Sequence, residues 1–155
     1  MYLLHTRDFI NQVRFEKVVR MKIIICLDDK NGMLFNKRRQ SSDRVLCQRI
    51  LSMVGDRILW MNEYSRKLFE GENGNIQIDE GFLKHAGEED YCFIENLDTA
   101  PYIPDATEVI IYRWNRVYPA DMRFPMHLLS AWNKMAVSEF QGHSHDKITQ
   151  EVYRR

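Results

Sequence analysis

The sequence predicts a single α/β domain. Its central sheet is mostly parallel and flanked by helices, with an antiparallel hairpin at the C-terminal end. Three observations carry this. The uninterrupted apolar run at 23–27 ("IIICL") has strand length and reads as a strand buried on both faces, and "RILWM" (57–61) reads as a second buried strand. Segments with apolar residues at helical spacing alternate with them. The chain closes on two strand-like runs around the polar turn "GHSHD", which is hairpin patterning.

The first 20 residues stand apart. Arg7, Arg14, Lys17 and Arg20 face only two acids there, and "MKIIICLDD" from Met21 reads as a natural start into a first strand. The expected division is therefore an N-terminal extension at 1–20, explained by a start-site artefact or by an amphipathic arm, and a domain at 21–155. The turn residues "DDKNG" end the first strand. Leu46, Ile50, Leu51 and Val54 share one face of a helix over 43–54, with Ser41 or Ser42 as its N-cap and Gly55 closing it. Asn62 caps a short helix that runs through Phe69 to Gly71. "NIQI" (75–78) is a short strand, 81–87 makes a helical turn or two, and "YCFIEN" (91–96) is a third central strand. After Pro101 and Pro104, "EVIIYRWNR" (108–116) is a long strand.

The bulk composition excludes several classes. With 45% hydrophobic and 28% charged residues the chain has a globular balance, and 155 residues are enough for one core. Lys and Arg number 22 against 22 Asp and Glu, so no global nucleic-acid signature exists and a basic site must be local. No apolar run approaches the roughly 20 residues of a membrane helix. Cys26, Cys47 and Cys92 each sit alone in an apolar run, which points to reduced thiols and a cytoplasmic setting.

This order of elements resembles the dihydrofolate reductase superfamily, which includes the reductase domain of riboflavin biosynthesis. "LDDKNGMLFN" stands where that family has its flexible substrate loop. "SSDRVLCQRI" is similar to its first helix, which implies that Asp43 is the acidic residue facing the ligand. "DRILWMNEYSRKLF" is similar to a strand and a helix that opens on cofactor phosphate. Two departures argue against a nicotinamide cofactor. The phosphate-binding Gly-Arg-x-Thr is "MNEYS" here, and "ENLD" follows "YCFI" in place of a glycine pair. The string "DDKNGMLFNKRRQSSDR" also resembles a group of short bacterial proteins, some of them labelled ribonuclease Z. True ribonuclease Z carries HxHxDH. In "HSHDK" the Asp stands one place early and the last His is missing.

Three stretches carry candidate chemistry. In "NKRRQSSDR" (36–44), Arg38 and Arg39 can grip phosphate or carboxylate with a planar fork. Ser42 and the helix N-terminus would cradle the anion, and Asp43 would orient the ligand or act as acid/base. The competing reading is a solvated, capped turn. Asp28, Asn31 and Asn36 join this cleft, with Asn62 and Ser65 at the second helix start. In "YRWNRVYPAD" (112–121), Trp114 and Arg116, with Arg113, Tyr118 and Asp121, would stack on and hydrogen-bond a planar ring; the alternative is an amphipathic edge strand. In "GHSHD", His143, His145 and Asp146 have ligand chemistry for a metal, set against a plain polar turn.

The favoured expectation is a small-molecule or nucleotide binder, with the anion at the first helix N-terminus. The alternatives are a metal-dependent RNA phosphodiesterase centred on His143, His145 and Asp146, and a non-catalytic interaction module. Homo-oligomerisation is compatible with either class.

Overall fold

The computed structural model describes residues 20–155, so the reading of 1–20 as an extension lies, apart from Arg20, outside the described residues. Strand β1 (Met21–Leu27) lies at the centre of a seven-stranded sheet. It pairs in parallel with β6 (Tyr91–Phe93) on one side and β7 (Ala106–Arg113) on the other. That placement explains its unbroken apolar run: Ile23 and Ile25 face one layer, Ile24 the opposite one, and all are fully buried. Beyond β6 come β4 (Leu59–Met61) and β5 (Ile76–Ile78), also parallel. Beyond β7 come β10 (Ile148–Arg154) and the outermost β9 (Asn133–Phe140), both antiparallel. The sheet is thus mostly parallel with an antiparallel end.

Helix α1 (Arg44–Val54) buries Leu46, Cys47, Ile50, Leu51 and Val54 against Ile24, Ile110 and Tyr112 on one face of the sheet. The opposite face is covered by Phe82 and Leu83 of the short α3 (Phe82–His85), together with Phe124 and Leu129 from later loops. Between β4 and β5, α2 (Glu63–Arg66) tightens into a 3-10 turn over Lys67–Phe69. Its N-cap is Asn62, whose Oδ1 accepts from the Ser65 amide at 3.1 Å, as its spacing predicts.

Four features depart from expectation. A small second sheet forms from β2 (Gly32–Phe35), β3 (Arg38–Arg39) and β8 (Met122–Arg123). Asn36 and Lys37 link β2 to β3 with both φ angles positive, at 50° and 60°, as a two-residue type I′ turn needs. The N-cap of α1 is Asp43, not Ser41 or Ser42. Asp43 is extended, and its side chain accepts from the amides of Val45 and Leu46. Finally, β7 ends at Arg113 instead of residue 116, because Asn115 turns left-handed at φ 60°, and β7 is a central strand instead of an edge.

Candidate functional site

The carboxyl ends of β1, β4, β6 and β7 converge on one side of the sheet. They deliver Asp28, Asn62, Glu95 and Trp114 there. Ligands of open parallel sheets bind beyond this end of the strands. In this protein it holds two clusters of internally bonded polar side chains.

The first cluster is built on Arg39. Strand β3 aims its guanidinium at the buried Glu95, which it grips with Nε at 2.9 Å and Nη2 at 3.1 Å. Nη2 also donates to the Tyr64 carbonyl, and the group lies 4.7 Å over the Tyr64 ring. Beside it, Asn62 Nδ2 donates to Asn96 Oδ1 at 2.9 Å. Ser65 is fully buried, and its hydroxyl has no partner among the described residues.

The second cluster is built on Asp43. Its Oδ1 accepts from the amides of Val45 (3.0 Å), Leu46 (3.2 Å) and His143 (2.9 Å). Its Oδ2 accepts from the Ser144 amide (2.9 Å), the Ser144 hydroxyl (3.2 Å) and His145 Nδ1 (2.9 Å). The loop after β9 reaches this depth because residue 142 is glycine: a Cβ there would lie 2.5 Å from Asp43 Oδ2. Burial pushes the Asp43 carboxyl up. The His143 amide, the His145 ring and the Ser144 and Leu46 amides outweigh burial and hold it well below the usual carboxylate range. Asp43 is therefore an ionised acceptor, so the His145 Nδ1 that faces it carries a proton. Nε2 of that ring then faces the Ser41 hydroxyl at 2.9 Å and the Tyr118 hydroxyl at 3.4 Å. Trp114 stacks on the ring, with centroids 4.6 Å apart.

These contacts decide where the expected residues fall. Asp28 is bonded from inside the chain. Its Oδ1 accepts from the amides of Lys30 and Gly32, and its Oδ2 from Gln40 Nε2 and the Tyr118 amide. Burial raises its pKa, but the Gly32, Tyr118 and Lys30 amides and the Gln40 side chain lower it further. Asn31 Oδ1 is held by Arg113 Nη1 at 2.8 Å. Arg113 is itself paired with Glu151. Asn36 is a turn residue whose amide donates to Asp121. Trp114 is buried, and His145 covers a face of its ring, so no ligand ring can stack on that face. Arg116 is exposed, with its carbonyl accepting from the Asp29 amide. His143 is exposed, with Nδ1 3.5 Å from Arg44 Nη2, and Asp146 is exposed. Among the described residues, no group of three or more His, Cys, Asp or Glu side chains gathers to hold a metal ion.

Two open grooves flank Arg39. One, of about 290 Å³, runs between the first turn of α1 and the 3-10 turn, past Ser42, Arg44 and Lys67. The other, of about 270 Å³, runs past Asn36, Arg38 and Tyr118. Cys47 lines the first groove, but burial, then the nearby Glu72, Glu95 and Asp43, push its thiol up to about 12, so it is a wall and not a nucleophile at neutral pH. Between the grooves, the space bounded by Cys26, Gln40, Ser41 and Trp114 shrinks to about 10 Å³. Arg44 and Lys67 are not among the residues that the sequence points to, and Ser41 reads there only as a cap or a hydroxyl donor. Arg44 and Lys67 carry only the signal of cations near a helix start, and the role of Ser41 depends on a partner more than a hundred residues away.

Among the described residues no helix is long and apolar enough to cross a membrane. No family model matches the chain, and no curated protein matches it. Among solved structures it is similar to the dihydrofolate reductase of Enterococcus faecalis, solved in complex with NADP(H) and RAB-propyl. The TM-score is 0.60 at 13% identity, over 90% of this chain and 97% of that one. Together with the strand order around β1, this likeness shows that the chain has a dihydrofolate reductase-like fold.

Proposed function

We propose that this protein binds a small phosphate-bearing molecule across the two grooves that meet at Arg39. The observation that carries this is a set of three cations, Arg38, Arg44 and Lys67, exposed on the groove walls and without an ion pair among the described residues. They stand beside the N-terminal turn of an 11-residue helix at the carboxyl edge of a parallel sheet. The similar fold of the Enterococcus faecalis enzyme, held with NADP(H), supports a nucleotide-type ligand.

Arg39 is not the anion's grip, because Glu95 occupies its fork, and Arg39 acts as the post between the grooves. Asp43 neither orients the ligand nor exchanges its proton, since its oxygens are filled from inside the chain. The Glu95 carboxylate follows β6 where a nicotinamide cofactor would need close backbone approach to its pyrophosphate, so the ligand is a smaller anion or nucleotide.

A thermal-shift titration of the full chain with inorganic phosphate, mononucleotides and NADPH tests this. Ligand at 100 times its dissociation constant stabilises by about 2.7 kcal/mol, which moves the midpoint visibly. The expected result is a shift with a phosphate-bearing compound that vanishes in the Arg38→Ala, Arg44→Ala, Lys67→Ala triple variant, with the unliganded midpoint unchanged. No shift with any of them, or a shift that survives the triple variant, overturns the reading.

A further inference from the structure

Three side chains from two distant stretches form a continuous chain of hydrogen bonds. Ser41 Oγ lies 2.9 Å from His145 Nε2, and His145 Nδ1 lies 2.9 Å from Asp43 Oδ2. This is the arrangement of nucleophile, base and orienting carboxylate, which is recognised by geometry and roles and not by order in the chain. The geometry points to an activity separate from the anion grooves: Ser41 is a nucleophile, with His145 as its general base and Asp43 as positioning residue, that transfers the acyl group of a small carboxylic ester to water.

The surroundings suit that role. His145 is only 4% exposed and is clamped by Trp114 across one ring face, so its orientation is fixed. Ser41 is half-buried, and its hydroxyl ends the chain of bonds. His145 is the hydrogen-bond partner of that hydroxyl. Gln40 and Ser41 line the same space of about 10 Å³, which has room for one water, and Gln40 Oε1 is buried without a partner among the described residues.

The chemistry balances without a cofactor. Ser41 Oγ forms a bond to the carbonyl carbon as its proton passes to His145 Nε2. The bond from that carbon to the alcohol oxygen breaks, and the leaving oxygen takes the proton from Nε2. Water then attacks the acyl-serine and gives a proton to Nε2. Ser41 departs with that proton and the acid is released. The sum is ester plus water giving acid plus alcohol.

Labelling the full-length folded protein with an alkyl fluorophosphonate, followed by peptide mapping, tests this. In that reaction the P–F bond breaks and a P–Oγ bond forms. The expected adduct is on Ser41, absent in Ser41→Ala and formed at least about 100-fold more slowly in His145→Gln. Ser52→Ala, remote on α1, labels like the parent. No adduct on Ser41, or labelling there as fast in the unfolded chain, overturns the proposal. Should His145→Gln fail to fold, the pH profile of the parent decides. A Ser41 labelling rate that levels off once the imidazole is neutral supports the assignment. A rate that keeps rising in proportion to hydroxide refutes it.

Discussion

Asp43 and His145 stand 102 positions apart in the chain and 2.9 Å apart in the fold. Their contact fastens the loop between the last two strands onto the first turn of α1. One carboxylate is thus both helix cap and anchor, which concentrates several consequences on a single side chain.

Replacing Asp43 with Ala removes the cap and leaves the buried Nδ1–H of His145 without its acceptor. Stranding that buried donor costs about 1–3 kcal/mol beyond the roughly 1 kcal/mol of an ordinary cap. Urea denaturation at pH 7 is expected to show that larger loss. A loss near 1 kcal/mol would mean that the loop contributes nothing to holding the carboxylate.

The same group sets an acid limb. Its folded pKa lies below the unfolded value of about 3.9, so the stability it contributes is present above that value and lost as pH falls toward the folded pKa. Asp28, also depressed, has the same sign. Denaturation midpoints are expected to be flat from pH 7 to 5 with respect to these two groups and to fall below about pH 4. In Asp43→Asn the fall is expected to be shallower.

Gly142→Ala puts a methyl group 2.5 Å from Asp43 Oδ2 and 3.0 Å from the His145 carbonyl. Both are buried and held, so neither gives way cheaply. Overpacking of this kind costs about 1–3 kcal/mol. Calorimetry is expected to show a lowered Tm. An unchanged Tm would mean that the loop is free to lift away.

Arg39 and Glu95 are expected to couple strongly. Removing Arg39 strands a carboxylate that is only 9% exposed. A double-mutant cycle with Arg39→Met and Glu95→Gln should return a coupling of about 1–3 kcal/mol. A value near zero would class the pair with surface ion pairs.

Lys37→Gly is expected to stabilise. Lys37 holds φ at 60°, a left-handed conformation that costs a side-chain-bearing residue about 1 kcal/mol and glycine almost nothing. The Asn-Gly pair it creates suits the type I′ turn. A raised Tm with phosphate binding intact would also separate Lys37 from the ligand grooves.

The sequence shows β1 clearly, because a strand covered on both faces needs an unbroken apolar run, and Ile23–Leu27 supplies it. It hides the small sheet: β3 is only Arg38 and Arg39, and two charged residues carry no strand signal. Helix α1 was legible from Leu46, Ile50, Leu51 and Val54, but its cap was not. Ser41, Ser42 and Asp43 are all competent caps, and the choice is made by the loop at 142–145, which no local rule reaches. The candidate site is opaque for the same reason. Arg39 reads as a free anion grip until Glu95, 56 positions later, is seen to fill its fork. Asp43 and "GHSHD" look like two separate sites until the fold merges them.

The clasp at 142–145 also bears on how the protein is made. Synthesis runs from the N-terminus, so α1 is made about a hundred residues before His145. During that interval Asp43 can cap its own helix, but its other oxygen stays in water. The two C-terminal strands must pair before the clasp can close, and contacts so distant in sequence form slowly. A nascent chain halted before residue 142 would hold its first helix without the lock that later secures it.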